Sequence, residues 1–334
     1  RGICKFAETN TPCSSWHHIG TFIFYMIKIA VSLLSCFLLS LPAMADNDDM
    51  QMLDRELGNR EVYIENKLTR IANITKELQS SNKPVEILEI YDRIANEYYV
   101  FKFDSAYNYV EKGLHLATRE NNRYYCDHFM IKQAELLAFS GLYHESVDVI
   151  SQIDTLRIDP TLATDYYRTV FCIYNFWASY CEGTPFAELY LSKAKEGLKN
   201  AWQRMNADYE YYDYLNGEYY AYIEPDSRQA LRYYNKVLER ANPASRVYAQ
   251  SCFSMAHIHA DDPASYRKYM VMAVVSDIQC CTMENLALQF LARHLYESDP
   301  ENLERAERYM SISLEDAKFY NNRLRIIEIS RTFP

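Results

Sequence analysis

The chain has 334 residues, 49% hydrophobic and 24% charged, which excludes a disordered or collagen-like polymer. Eight glycines and ten prolines stand beside 30 tyrosines and 15 phenylalanines, a balance that disfavours glycine-rich phosphate loops and many-turned β architectures and favours long helices. A formal net charge of -10 leaves no global basic footprint for DNA or an anionic membrane surface.

Residues 1–25 open on Arg1 and carry Cys4, Cys13, His17 and His18 in no recognisable pattern, so they read as lying upstream of a true start at Met26. Residues 26–45 read as a secretory signal peptide. Lys28 holds the amino end on the cytoplasmic side, the 13-residue apolar run Ile29 to Leu41 is short for a stable span, and Ala43 and Ala45 suit the peptidase. The alternative is an uncleaved anchor, supported by apolar Phe22 to Tyr25 just upstream. Export would permit disulfides among Cys126, Cys172, Cys181, Cys252, Cys280 and Cys281. No CxxC occurs, however, and cysteine is among the most buried residue types, so buried free thiols on helices are the preferred reading.

Residues 46–81 are expected to form one long N-terminal helix. Leu53, Leu57, Ile64, Leu68, Ile71 and Leu78 recur at helical period between charges, a narrow stripe suited to a single partner helix. It serves either as a cap on the body or as a coiled-coil seam joining two copies through residues 50–80.

From 82 to 320 the pattern is helix after helix. The junctions Lys83-Pro84, Asp159-Pro160, Thr184-Pro185, Glu224-Pro225, Asn242-Pro243, Asp262-Pro263 and Asp299-Pro300 place proline where a helix begins, because the first turn has no use for the missing N–H. Short connectors between helices imply antiparallel neighbours. Hairpin units are expected at 84–120, 124–157, 161–200, 206–240, 244–278 and 283–320, near a 34-residue period. Within them Gly141 to Ser146 and Phe101 to Ala106 repeat one turn-to-helix step. Ala230, Tyr234 and Val237 set small, large and medium residues at helical spacing, echoed by Ala306, Met310 and Ser313. These intervals resemble the second helix of tetratricopeptide repeats, so the fold class is all-α, a tetratricopeptide-like α-solenoid; a nonrepetitive bundle is the alternative. The third unit fits least, its turn at Cys181 to Thr184 lacking the aromatic. Residues 321–334 open another apolar stripe at Arg323 and read as the start of a truncated further helix.

Leu53-Asp54, Tyr63 to Lys67, Arg70-Ile71, Tyr99 to Ala106 and Tyr109-Val110 together resemble the opening of an uncharacterised, domain-of-unknown-function family of Bacteroidetes transcriptional-regulator-like proteins. The resemblance covers residues 46–334. It implies tetratricopeptide-like helices outside the inner membrane, one transmembrane helix, and a cytoplasmic helical region that regulates transcription. Neither an apolar run of about 20 residues nor a helix-turn-helix follows Arg323, so the resemblance puts the membrane link in a missing C-terminal span and assigns no nucleic acid to this chain.

No catalytic signature stands against that reading. His257-Ile258-His259 points two imidazoles to different faces of a helix, no HExxH or Cys/His spacing occurs, and no P-loop, GxSxG or dinucleotide fingerprint is present, so no metal or cofactor is expected. The unusual feature is the tyrosine stretch Tyr209, Tyr211, Tyr212, Tyr214, Tyr219, Tyr220 and Tyr222, placed on one expected helix with Asp208, Glu210, Asp213 and Glu218. With Gly217 as the close-approach position and Tyr220 packed, Tyr211, Tyr214, Glu218 and Tyr222 turn to the concave face, offering aromatic and hydroxyl contacts to a peptide, protein or glycan. The competing reading makes them packing between repeats. The functional expectation is a non-catalytic, periplasmic sensor or protein-interaction region of a membrane-linked regulator; the alternative is a free periplasmic scaffold or glycan-binding accessory without transcriptional output.

Overall fold

A computed structural model of the chain describes residues 48–284, 286–298 and 300–332. Two compact units are distinguished, residues 1–51 and 52–334. Of the first, only 48–51 are described, and they are helical. The readings of 1–25 and of the signal peptide at 26–45 lie outside the described residues.

In the second unit a helical stretch over 52–58 bends at Asn59 into α1 (Arg60–Glu77). The single long helix expected over 46–81 is therefore interrupted at Gly58-Asn59. Glycine lowers helix stability by about 1 kcal/mol relative to alanine, so the break falls where the helix is weakest. Six helix pairs follow: α2 (Pro84–Tyr98) with α3 (Phe103–Arg119), α4 (Arg123–Phe139) with α5 (Tyr143–Ile150), α6 (Ala163–Tyr180) with α7 (Phe186–Arg204), α8 (Tyr212–Tyr222) with α9 (Ser227–Arg240), α10 (Arg246–Ile258) with α11 (Pro263–Cys280), and α12 (Leu286–Ser298) with α13 (Leu303–Tyr320). A last helix, α14, spans Arg323–Thr332. No strand occurs among the described residues. The chain is all-α, a tetratricopeptide-like array with one helix pair in each expected hairpin unit; the largest departures are at α5, which ends at Ile150 and not near 157, and at α8, which begins at Tyr212 and not near 206.

Local chemistry explains the boundaries. Pro84 and Pro263 open their helices, and Asn122, Asp226 and Asp262 accept hydrogen bonds from first-turn amides. α13 ends at Asn321 in the left-handed conformation, and Asn322 then caps α14 through Oδ1 to the Arg325 amide at 3.1 Å. Small positions carry the close approach of the helices: Ala230 and Ala306 are fully buried, and Gly113 of α3 lies against the Phe129 ring of α4 in the next pair. The third pair, least like a repeat in sequence, is tightly packed, with Gly197 against the backbone of Phe171.

The tyrosine stretch does not form one helix. α8 begins only at Tyr212, leaving Tyr209 and Tyr211 in the preceding turn. Tyr209 donates to Asp165 on α6 at 2.5 Å, Tyr219 stacks on Trp202 with centroids 4.2 Å apart, and Tyr220 stacks on Tyr233.

In an open solenoid each repeat touches its neighbours only. Here the two ends of the second unit meet. Met283 donates its amide to the Val100 carbonyl at 2.8 Å, Tyr320 donates its hydroxyl to the Tyr99 carbonyl at 2.9 Å, and the rings of Phe101 and Phe319 lie 5.4 Å apart. The N-terminal segment straps this closure. Lys67 donates to the Cys280 carbonyl, Arg60 pairs with Asp316, and Asp54 accepts from Tyr309 at 2.6 Å and pairs with Arg305 and Arg308. Leu53 and Ile71 are buried, while Leu68 remains 46% exposed. The stripe offered above to a cap or to a second copy thus packs largely within its own chain. Replacing Asp54 by alanine is expected to cost about 1–2 kcal/mol, since it removes a charged acceptor shared by a phenol and two guanidiniums; urea unfolding measures it, and an unchanged midpoint would show the strap to be marginal.

Candidate functional site

Closure turns the inner face of the array into a cavity of about 780 Å³. Its walls are the first helices of the last four pairs, together with α14. α6 supplies Phe171, Asn175 and Phe176; α8 supplies Tyr214, Glu218 and Tyr222. α10 supplies Arg246, Gln250, Phe253 and Ser254, and α12 supplies Gln289 and Phe290. Leu324, Arg325 and Glu328 of α14 complete the wall. The size and the mixture of aromatic faces with a few polar groups are those of a small-molecule site.

Of the four residues expected on the concave face, Tyr214, Glu218 and Tyr222 come together on this wall. Tyr211 does not. It precedes the first turn of α8, and its ring packs on Tyr214 and under the Arg168 guanidinium at 5.2 Å. Gly217 takes the close-approach position, set against the ring of Tyr234. Glu218 accepts from the hydroxyls of Tyr234 at 2.7 Å and Ser254 at 2.8 Å, bonds that favour its ionised form, but burial dominates and raises its pKa.

Charge is arranged in layers behind and across the cavity. Glu135 on α4 is buried, receives both forks of Arg168 at 2.8 and 3.0 Å, and accepts from Tyr99 at 2.5 Å. Burial would raise its pKa, but the arginine outweighs it and holds the carboxyl at about 2. Arg246 lies over Phe139 at 4.6 Å, and its Nη1 has no hydrogen-bond partner. Arg325 lies 3.5 Å from Glu284 and 2.6 Å from Glu328. Asp277 behind them is pushed up to about 7, by burial first and by the Glu284 charge second.

The Asp277 shift has a defined sign. The folded chain keeps this proton to about pH 7 while the unfolded chain releases it near 3.8, so Asp277 lowers stability as pH rises through that interval and makes no further change above it. Asp277→Asn is expected to flatten that part of a plot of urea midpoint against pH. An unaltered slope would overturn the assignment.

The cysteines of the described residues are unbridged, and burial pushes the Cys172, Cys252 and Cys280 thiols up to about 12, the opposite of an activated nucleophile. His257 lines the cavity while His259 stacks on Tyr269 away from it. No group of three or more His, Cys, Asp or Glu side chains suited to a metal occurs among the described residues.

Sequence reasoning missed Arg246, Gln250, Gln289 and Arg325. One local signal was present: Arg246, Gln250 and Ser254 recur every fourth residue after Asn242-Pro243, a polar stripe on a face that should be inner. Gln289 and Arg325 sit on other helices and join that stripe only when the array closes.

Helix pairs stacked through small residues, with their first helices turned to a shared interior, define a tetratricopeptide-type repeat domain. The chain matches the SusR N-terminal TPR domain over residues 57–331 and belongs to that family. No curated protein matches the chain.

Proposed function

We propose that this chain is the non-catalytic sensing region of a membrane-linked transcriptional regulator, exported to the periplasm, and that its interior cavity holds the ligand it senses. The observation that carries the reading is the cavity wall itself: α14 contributes Leu324, Arg325 and Glu328 to it. A ligand seated there touches both the repeat helices and the last described helix. Occupancy would therefore bias the position of α14 through differential contact. Leu324 would carry that coupling, since it reaches from α14 to the turn after α4 and lies against Gly141. Family membership supports a regulator-associated role. Among the described residues no helix is long and apolar enough to cross a membrane. A volume of about 780 Å³ suits a small ligand.

Two measurements test this. Fusion of residues 1–60 to a phosphatase active only outside the cytoplasm should give activity, and its absence would remove export. Native mass spectrometry after equilibration with a small-molecule extract of culture medium should show a discrete adduct on the wild-type chain and none on Ala221→Trp, which fills the cavity from a half-buried wall position. No adduct from any fraction would sink the sensing reading.

A further inference from the structure

The cavity contains more polar capacity than its own side chains use. Nη1 of Arg246, Oε1 of Gln250 and Oε1 of Gln289 are buried without a hydrogen-bond partner, and Gln289 is only 8% exposed. Buried polar atoms are nearly always paired in native proteins, so a cluster of orphans on residues that line one cavity points to a missing partner. Their chemistry differs by place. The Arg246 orphan is a donor on a cation; the two glutamine orphans are acceptors. Glu218, an acidic acceptor, stands at the other end of the same wall.

The spacing between the two charged ends follows from α10. Arg246 opens that helix, Gln250 lies one turn on, and Ser254, one turn further, donates to Glu218. Eight residues of α-helix rise about 12 Å. An extended peptide advances about 3.3–3.6 Å per residue, so three residues span about 10–11 Å between their ends.

We propose that the cavity binds a short peptide of about three residues with free termini, its carboxylate on Arg246 and its ammonium at Glu218. The backbone N–H groups between the ends donate to Gln250 and Gln289. The guanidinium is held in place by the Phe139 ring beneath it, which leaves its edge for a carboxylate. Around Glu218 the rings of Tyr214, Tyr222 and Phe171 line the same wall, with Phe171 and Tyr222 6.3 Å apart, and aromatic faces favour an ammonium. Phe253 and Phe290, 5.4 Å apart edge to face, offer apolar contact to a central side chain. The neighbouring acids leave Arg246 available: Glu135 is saturated by Arg168 and Tyr99, and Glu284 lies beside Arg325.

This inference rests on the cavity being the ligand site, and its test separates the two. The probe is Ala-Phe-Ala, free, N-acetylated, C-amidated and doubly blocked, titrated calorimetrically into the whole chain. The free peptide should saturate one site. Each single block should weaken binding at least tenfold, about 1.4 kcal/mol. Arg246→Met, which keeps the stack on Phe139, should weaken the free peptide tenfold and leave the amide unchanged; Glu218→Gln should do the same for the acetylated form. Equal binding of free and doubly blocked peptides overturns the proposal without any variant, as does the lack of saturable heat at millimolar peptide. If a neutral oligosaccharide binds instead and Gln250→Ala abolishes that binding, the sensing cavity stands and the peptide falls. If nothing binds and the adduct described above is also missing, both fall.

Discussion

Replacing Arg168 by methionine is expected to lower folding stability by about 3–5 kcal/mol, because it leaves the Glu135 carboxylate buried without its counter-ion. Glu135 is 3% exposed and takes both guanidinium forks. The lost attraction is a minor part of the effect; most of it is the desolvated charge left behind, which the remaining Tyr99 hydroxyl cannot compensate. The double variant Arg168→Met with Glu135→Leu should recover most of the loss, since a buried pair replaced by apolar groups of similar volume is near neutral. The pH dependence gives a second check. With the carboxyl held at about 2 in the folded chain and near 4.5 when unfolded, the pair contributes its stability above about 4.5 and loses it as pH falls toward 2. Arg168→Met should lack that acid limb in a plot of urea midpoint against pH. A single variant as stable as the wild type would mean that Glu135 protonates or finds water at little cost.

How much of this was legible in the sequence depends on the range of the interaction. Ala230, Tyr234 and Val237 lie within two turns of one helix, and all three are buried as their spacing requires. Pro84 and Pro263 act on the first turn of their own helices and mark those boundaries directly, whereas Pro160, Pro225 and Pro243 lie in the connectors two to three residues before Ala163, Ser227 and Arg246 begin theirs. Closure has no such signature. The bond from Met283 to Val100 and that from Tyr320 to Tyr99 join the ends of the array, and no period in the chain encodes them. An open concave face was accordingly expected where there is a cavity. The helix stripe at 50–80 could be seen, but its partner could not, because Ile71 needs Leu88 and Phe101 beside it while Asp54 needs Tyr309. For the site, Tyr214, Glu218 and Tyr222 were found through Gly217, a local cue. Tyr211 was misplaced because the helix was begun too early. Arg246 had a local cue in the polar stripe it forms with Gln250 and Ser254, whereas Gln289 and Arg325 join that stripe only when the array closes and have no counterpart in the residue pattern.

Gly197→Ala and Gly217→Ala are each expected to destabilise the array by about 1–3 kcal/mol, although alanine is the better helix former by about 1 kcal/mol. At an ordinary exposed helical glycine the propensity gain would decide the sign. At Gly197 a Cβ would lie 2.8 Å from the Phe171 amide nitrogen, a backbone atom of the facing helix, so relief requires α6 and α7 to separate. That separation would also move Phe171, which lines the cavity. At Gly217 the Cβ would lie 2.3 Å from the Tyr234 ring. Rotation of a free ring would relieve this cheaply, but Tyr234 is fully buried and its hydroxyl is tied to Glu218. The two substitutions should therefore differ in a second observable. Gly217→Ala displaces the Glu218 partner and should weaken ligand binding at the Glu218 end, whereas Gly197→Ala should act on the α6 wall. In the triple comparison of Gly217→Ala, Tyr234→Phe and their combination, Tyr234→Phe releases the hydroxyl anchor and should reduce the cost of the added methyl. Urea unfolding of the four chains measures that coupling, and strict additivity would show that the ring, freed of Glu218, still has nowhere to go.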